Sequence, residues 1–317
     1  MKSKAAACAM LLAASLRKGY IPCGERMLRR IDFSIALLLA FSAGCSSPEE
    51  VRPSPWYPHI RPAWSPNGAS VAFTATIGGQ SGIWLVDSYG ANVRLFHGGD
   101  AIGAAWSHDG QWIAFSQGNQ IYARRTSGDS LRLIVAHGGS NRPSWSADDS
   151  RLAFVRITEN DEPDVYMVSL ADLSQSLVAT GANYPSWTTT ASELFYVQRQ
   201  TNGSVNGDIY WLTIRNVDSL SEQTIHSFIS MYEHAFFQLA PDRSAVYYEH
   251  AVVDQTWQIY RTHFATSSTI PLTYDGGDFP ALSPDGTKIV YTRTASGDGG
   301  LWVMNTDGTN KRRLTTP

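Results

Sequence analysis

The feature that most restricts how this chain can fold is a repeat. The motif Pro-x-Trp-Ser-x-Asp/Asn-Gly opens at Pro62-Ala63-Trp64-Ser65-Pro66-Asn67-Gly68. It returns as Trp106-Ser107-His108-Asp109-Gly110, as Pro143-Ser144-Trp145-Ser146-Ala147-Asp148 and, degenerate, as Pro185-Ser186-Trp187-Thr188. Two later copies carry leucine in the tryptophan's place: Leu239-Ala240-Pro241-Asp242 and Pro280-Ala281-Leu282-Ser283-Pro284-Asp285-Gly286. Successive anchors lie 42, 39, 42, 52 and 43 residues apart, which is the length of one propeller blade.

Each unit carries four apolar runs. The anchor ends strand A, and its Asp/Asn-Gly pair is a hairpin signal. Strand B follows as Val71-Ala72-Phe73, Ile113-Ala114-Phe115, Leu152-Ala153-Phe154, Leu194-Phe195-Tyr196, Val246-Tyr247-Tyr248 and Ile289-Val290-Tyr291. Strand C is read at Ile83-Trp84, Ile121-Tyr122, Val165-Tyr166, Ile209-Tyr210, Ile259-Tyr260 and Leu301-Trp302, an aromatic after an aliphatic each time. Strand D is weaker, as an outer edge would be. One such sheet cannot bury both faces alone, and radial stacking of six buries each against its neighbours. The expectation is an all-β, six-bladed β-propeller of four-stranded antiparallel blades over residues 58–317, monomeric, with strand A innermost and no strand exchanged to close the ring. The anchor tryptophans then serve packing between blades rather than ligand stacking.

The first 45 residues read differently. Met27-Leu28-Arg29-Arg30 is a short basic start, Phe33 to Phe41 is an apolar core, and Ser42-Ala43-Gly44-Cys45 brings small residues up to a cysteine. This resembles a bacterial lipoprotein signal starting at Met27, with Cys45 as the lipidated residue and 46–57 as a polar tether. Ser42 stands where such signals usually carry leucine, and Ser42-x-Gly44 also suits ordinary secretion. Ser46 after the cysteine, in place of aspartate, implies the periplasmic face of the outer membrane, with contact to the membrane only through the lipid. Past Cys45 the chain has 18 basic against 26 acidic residues and only two lysines, Lys288 and Lys311. Nucleic-acid binding, which needs clustered cations against phosphate, is excluded on that balance. Cys8, Cys23 and Cys45 are the only cysteines, so the repeat region holds no disulfide.

The repeats resemble the TolB-type propeller, whose units run P-x-W-S-P-D-G, I-A-F, I-Y/W-x-M and D-G-x-x-x-x-R-L-T. The last unit matches most fully: Ser283-Pro284-Asp285-Gly286, Ile289-Val290-Tyr291, Leu301-Trp302-Val303-Met304, Asp307-Gly308 and Arg313-Leu314-Thr315. The resemblance runs from about Pro58 to Thr316. It implies the fold and leaves function open, since such propellers serve binding proteins and hydrolase accessory domains alike. TolB proteins also carry an α/β domain before the propeller, where this sequence has only the short tether. The chain therefore looks TolB-like rather than TolB.

No G-x-S-x-G, H-E-x-x-H, P-loop or G-x-G-x-x-G motif occurs. The eight histidines are scattered over the blades, with His108 read as a surface turn residue. Asp87-Ser88-Tyr89-Gly90 and Asp307-Gly308-Thr309-Asn310 hint at calcium loops but suit hairpin turns better. The strongest constellation is positional. Residues entering the six A strands ring one mouth of the channel, and among them Asn141, Arg142, Asn183, Tyr184, His234, Asp278 and Phe279 form the expected partner-binding set, at an exposed rim. A mixture of guanidinium, amide, carboxylate and aromatic groups suits an envelope protein or peptide as partner. That function needs no cofactor. The rival reading is a metal-dependent hydrolase of the lactonase kind. In it Glu233, Asn141, Asn183 and Asp278 hold a divalent cation through oxygen ligands.

Overall fold

In the computed structural model the described residues are 59–136, 141–200, 208–230, 234–251, 256–293 and 299–315. All belong to Pro53–Pro317, the second of two compact units into which the chain divides. The leader, Cys45 and the tether lie outside them.

The described residues form six four-stranded antiparallel sheets, each built from consecutive strands in the order A-B-C-D. Blade one runs from strand A at His59–Trp64 to strand D at Arg94–Gly98, and blade six from Asp278–Leu282 to Arg312–Arg313. Strand B of every blade is buried on both sides, through residues such as Val71, Phe115, Leu152, Phe195, Val246 and Ile289. Among the described residues no strand is exchanged at closure. Val71, Phe73 and Val86 of blade one share one core with Val290, Leu301 and Val303 of blade six.

The repeated anchor has a physical basis in two sets of bonds. The serine after Trp64, Trp106, Trp145 and Leu282 is buried, and its Oγ accepts the N–H five residues on: Ser70 to Ser65 at 2.9 Å, Trp112 to Ser107 at 2.9 Å, Arg151 to Ser146 at 2.9 Å and Lys288 to Ser283 at 2.9 Å. The same hydroxyl donates to the turn Asn or Asp, as Ser107 does to Asp109 at 2.6 Å and Ser283 to Asp285 at 2.6 Å. The tryptophan reaches sideways. Trp106 Nε1 donates to Ala63 O at 3.2 Å and Trp145 Nε1 to Ala105 O at 3.0 Å, each to the preceding blade. Trp64 Nε1 donates to Ala281 O at 3.1 Å and so ties blade one to blade six. These three indoles are latches between blades, whereas Trp187 Nε1 makes no such bond.

Blade four departs from the reading of its third strand. Tyr196, its strand-B aromatic, stands opposite Thr213, while Tyr210 stands opposite Arg199. In the other blades the B and C aromatics are directly paired, for example Phe73 with Trp84 and Tyr248 with Tyr260. The bulge that marks the position in strand C also falls at Leu212/Thr213. Ile209-Tyr210 thus belongs to an extension, with strands of eight and nine residues at Glu193–Gln200 and Asp208–Asn216. A longer hairpin shifts a local pattern along the strand without changing its look in sequence. The two calcium-loop candidates are hairpin turns: Asp87 Oδ1 accepts Tyr89 N and Ala91 N, and Asp307 Oδ1 accepts Thr309 N.

Candidate functional site

Every strand A breaks register with strand B at one point, and the residue there has positive φ. The six are Arg61, Gly103, Arg142, Tyr184, Phe236 and Phe279, with φ of 50°, 68°, 56°, 57°, 51° and 52°. Five carry large side chains in a conformation that costs an L-residue about 1–2 kcal/mol. The bulge turns these side chains inward, and contacts between non-adjacent blades show where they meet. The Arg142 guanidinium of blade three lies 4.8 Å from the Phe236 ring centroid of blade five, and Arg61 of blade one lies 5.6 Å from that same ring. Such pairs can form only across the central axis. Arg142 also stacks on Tyr184 at 4.3 Å, and Phe279 meets Phe236 edge-on at 4.5 Å.

These side chains therefore close the channel and form the floor of a blind funnel of about 650 Å³. Two places further along strand A its wall carries Ala63, Ala105, Ser144, Ser186 and Ala281, with Gln238 the one larger group of that column, and Trp64, Trp106, Trp145 and Trp187 of the anchors also line it. Its rim is the A–B turns, with Pro66, His108, Ala147, Thr189, Pro241 and Pro284. The places of the floor residues at the start of strand A suggest a ring around one mouth of the channel. The structure instead sets it inside the channel, because a bulge in each strand redirects the side chain. Tyr184 is no free rim residue either, since its ring packs on Phe237 at 5.5 Å.

Asn141, Asn183 and Asp278, one residue earlier, do not line the funnel. Asn183 Oδ1 accepts the Tyr184 N–H at 2.8 Å and a guanidinium N–H of Arg142. Asn141 Oδ1 is enclosed and has no hydrogen-bond partner. Asp278 is buried, next to a carboxylate that the sequence reading missed, Glu249. Glu249 follows Tyr248 in strand B of blade five, Ala245–Ala251, where the other blades have Thr74, Ser116, Val155, Val197 and Thr292. That substitution in an otherwise small-residue column was the available signal. Glu249 accepts the Phe279 N–H from the next blade, as Thr74 Oγ1 accepts Gly103 N at 3.3 Å. Burial, then the nearby Asp278, push the Glu249 carboxyl well above the ordinary range, against the pull of the Phe279 N–H, Arg142 and Arg61. Burial, with Arg142 beside it, brings Arg61 down to about 10. His234 lies in strand A opposite His250; its side chain and Glu233 lie outside the described residues.

Residues 54–209 match the family model of the TolB beta propeller domain. No curated protein sequence matches the chain significantly. Among solved structures, the chain is similar to TolB from Acinetobacter baumannii, at 18% identity and a TM-score of 0.62 over 80% of this chain and 61% of that one. It is also similar to a putative TolB from Agrobacterium tumefaciens, at 19% identity and 0.59 over 70% and 84%. An oligogalacturonate lyase from Vibrio parahaemolyticus shares the fold at 14% identity and 0.54 over 81% and 77%. The chain thus spans about three-fifths of the first of these proteins, and at such identities the likeness speaks to fold. With its six blades, its anchor bonds and this family match, the chain carries a β-propeller of the TolB type.

Proposed function

We propose that this protein is an exported, non-catalytic propeller that binds an envelope protein or peptide in its central channel, held to the periplasmic face of the outer membrane through a lipid on Cys45. The observation that carries the reading is the blind funnel. Its wall carries a ring of mostly small side chains just above the floor, and its floor brings Arg61, Arg142, Tyr184, Phe236 and Phe279 together from five blades. Arginine and tyrosine are the side chains that most often anchor protein interfaces, because each buries area and keeps a polar group in use. A slim segment of polypeptide is the shape that such a slot accepts. The TolB-type fold and the leader-like first 45 residues support an envelope setting.

A divalent cation suits this site less well. Two guanidinium groups already share the floor, and like charge opposes a second cation there. The amide oxygen of Asn183, one of the candidate ligands, is already occupied by two N–H donors.

The test is to fill the slot. Ser186 lines the wall, and Ser186→Trp narrows it. The Cys45-anchored wild type should retain a defined set of partners from envelope extracts, and Ser186→Trp should lose that set while melting within a few degrees of wild type. Undiminished capture by Ser186→Trp would move binding out of the channel.

A further inference from the structure

We propose that the funnel floor is a carboxylate receptor, in which Arg61 and Arg142 together take the carboxylate of a peptide inserted along the channel axis. The inference rests on the peptide-binding reading above and gives that site its chemistry. Both side chains line the funnel, and both guanidinium groups stack against the same ring, Phe236. Bringing two cations together in a partly dehydrated site is unfavourable unless an anion sits with them.

The protein's own groups do not complete the hydrogen bonding of this pair. Arg61 Nε and Nη1 and Arg142 Nε make no hydrogen bond and are shielded from solvent. The Glu249 carboxyl accepts the Phe279 N–H, and its burial beside Asp278 favours the protonated, neutral form. Arg142 donates instead to an amide oxygen, that of Asn183. An anion at the cavity face of the pair would offset the repulsion between them. A guanidinium fork matches a carboxylate in shape as well as charge. The small wall above it, Ala63, Ala105, Ser144 and Ala281, leaves a path for an extended chain. The carboxylate can come from a chain's C-terminus or from an Asp or Glu side chain.

Four probes decide among the sources, each titrated into the full chain by calorimetry: acetyl-triglycine, its C-terminal amide, acetyl-Gly-Asp-Gly amide and inorganic phosphate. At least one of the two carboxylate peptides is expected to bind about tenfold or more tightly than the neutral amide, as a charge-assisted pair implies. Acetyl-triglycine as the better ligand assigns a chain terminus, and the aspartyl peptide assigns a side chain. Arg61→Met and Arg142→Met should each abolish that preference, with circular dichroism reporting whether the fold is kept. If either variant fails to fold, the acid-to-amide ratio of the wild type decides alone. Equal binding of acid and amide overturns the proposal but leaves the channel as a peptide site. Phosphate binding more tightly than both carboxylates, or no binding by any probe at millimolar concentration, also overturns it.

Discussion

The interfaces of blades six to one, one to two and two to three differ in kind from the interface of blades four and five. The first three are each closed by an indole N–H donated to a carbonyl of the preceding blade. At the interface of blades four and five leucine replaces the tryptophan and phenylalanine replaces the preceding proline, at Leu239 and Phe237. Aromatic stacking takes over there. Phe237 meets Tyr210 at 5.9 Å, Tyr184 at 5.5 Å and Tyr248 at 5.3 Å, and Phe228 meets Tyr248 at 5.7 Å. Tyr210 reaches this cluster because it sits in the blade-four extension. The difference teaches where the molecule is free to vary. The blades that keep the repeat supply closure and the two arginines of the floor, and blade five, which departs from it, supplies Phe236 and the buried Glu249.

The largest effects should come from removing one member of each kind of interface. Trp145 and Phe237 are both buried, and truncation of either to alanine is expected to cost about 3–5 kcal/mol in urea unfolding. A cost well under that for Phe237→Ala would show that the aromatic cluster does not replace the latch. A smaller effect separates hydrogen bonding from packing. Trp145→Phe leaves Ala105 O without its donor and should cost about 1–3 kcal/mol. Trp187 Nε1 has no partner in the structure, so Trp187→Phe should cost less than about 1 kcal/mol by the same reasoning. Equal losses in the two variants would remove the bond from the account and leave packing alone.

The smallest effect is a pH dependence confined to the irregular blades. The folded state holds a proton on Glu249 that an unfolded chain releases near pH 4.3, by the ordinary glutamate value of about 4.3. The stabilisation this gives is complete below that pH and is lost as pH rises through the raised folded-state value. Glu249→Gln cannot ionise. It should therefore match wild type in acid and gain relative stability as pH rises, measured as the difference in Tm across a pH series. Arg61 works with the opposite sign, but only above about pH 10, outside the range scanned. A difference in Tm that stays constant with pH would mean that folding does not raise the Glu249 carboxyl.

The repeat made the fold legible because its parts are local. The serine, the turn Asp and the tryptophan act within a few residues or on the adjacent blade, so their spacing carries their structure. The six positive-φ positions were legible as a column for the same reason. The direction of their side chains was not, because the bulge that turns them is a register slip between strands with no residue of its own. Glu249 escaped notice for a related reason. Strand B announces itself by its buried apolar triplet, and the place after Tyr248 gains meaning only when six blades are superposed. The slip at Tyr210 came from a hairpin extension whose residues imitate the repeat.

The central claim is that the channel, closed below by the crossed arginines and aromatics, is where a partner enters. Photo-crosslinking tests it most directly, with p-benzoylphenylalanine placed at Ser186 on the funnel wall and, for contrast, at Leu131 on the exposed outer edge of blade two. Irradiation of cells should give a discrete crosslinked species from Ser186, diminished by Arg142→Met, and none from Leu131. A species from Leu131 with none from Ser186 would contradict the account and place recognition on the outer edge of the ring.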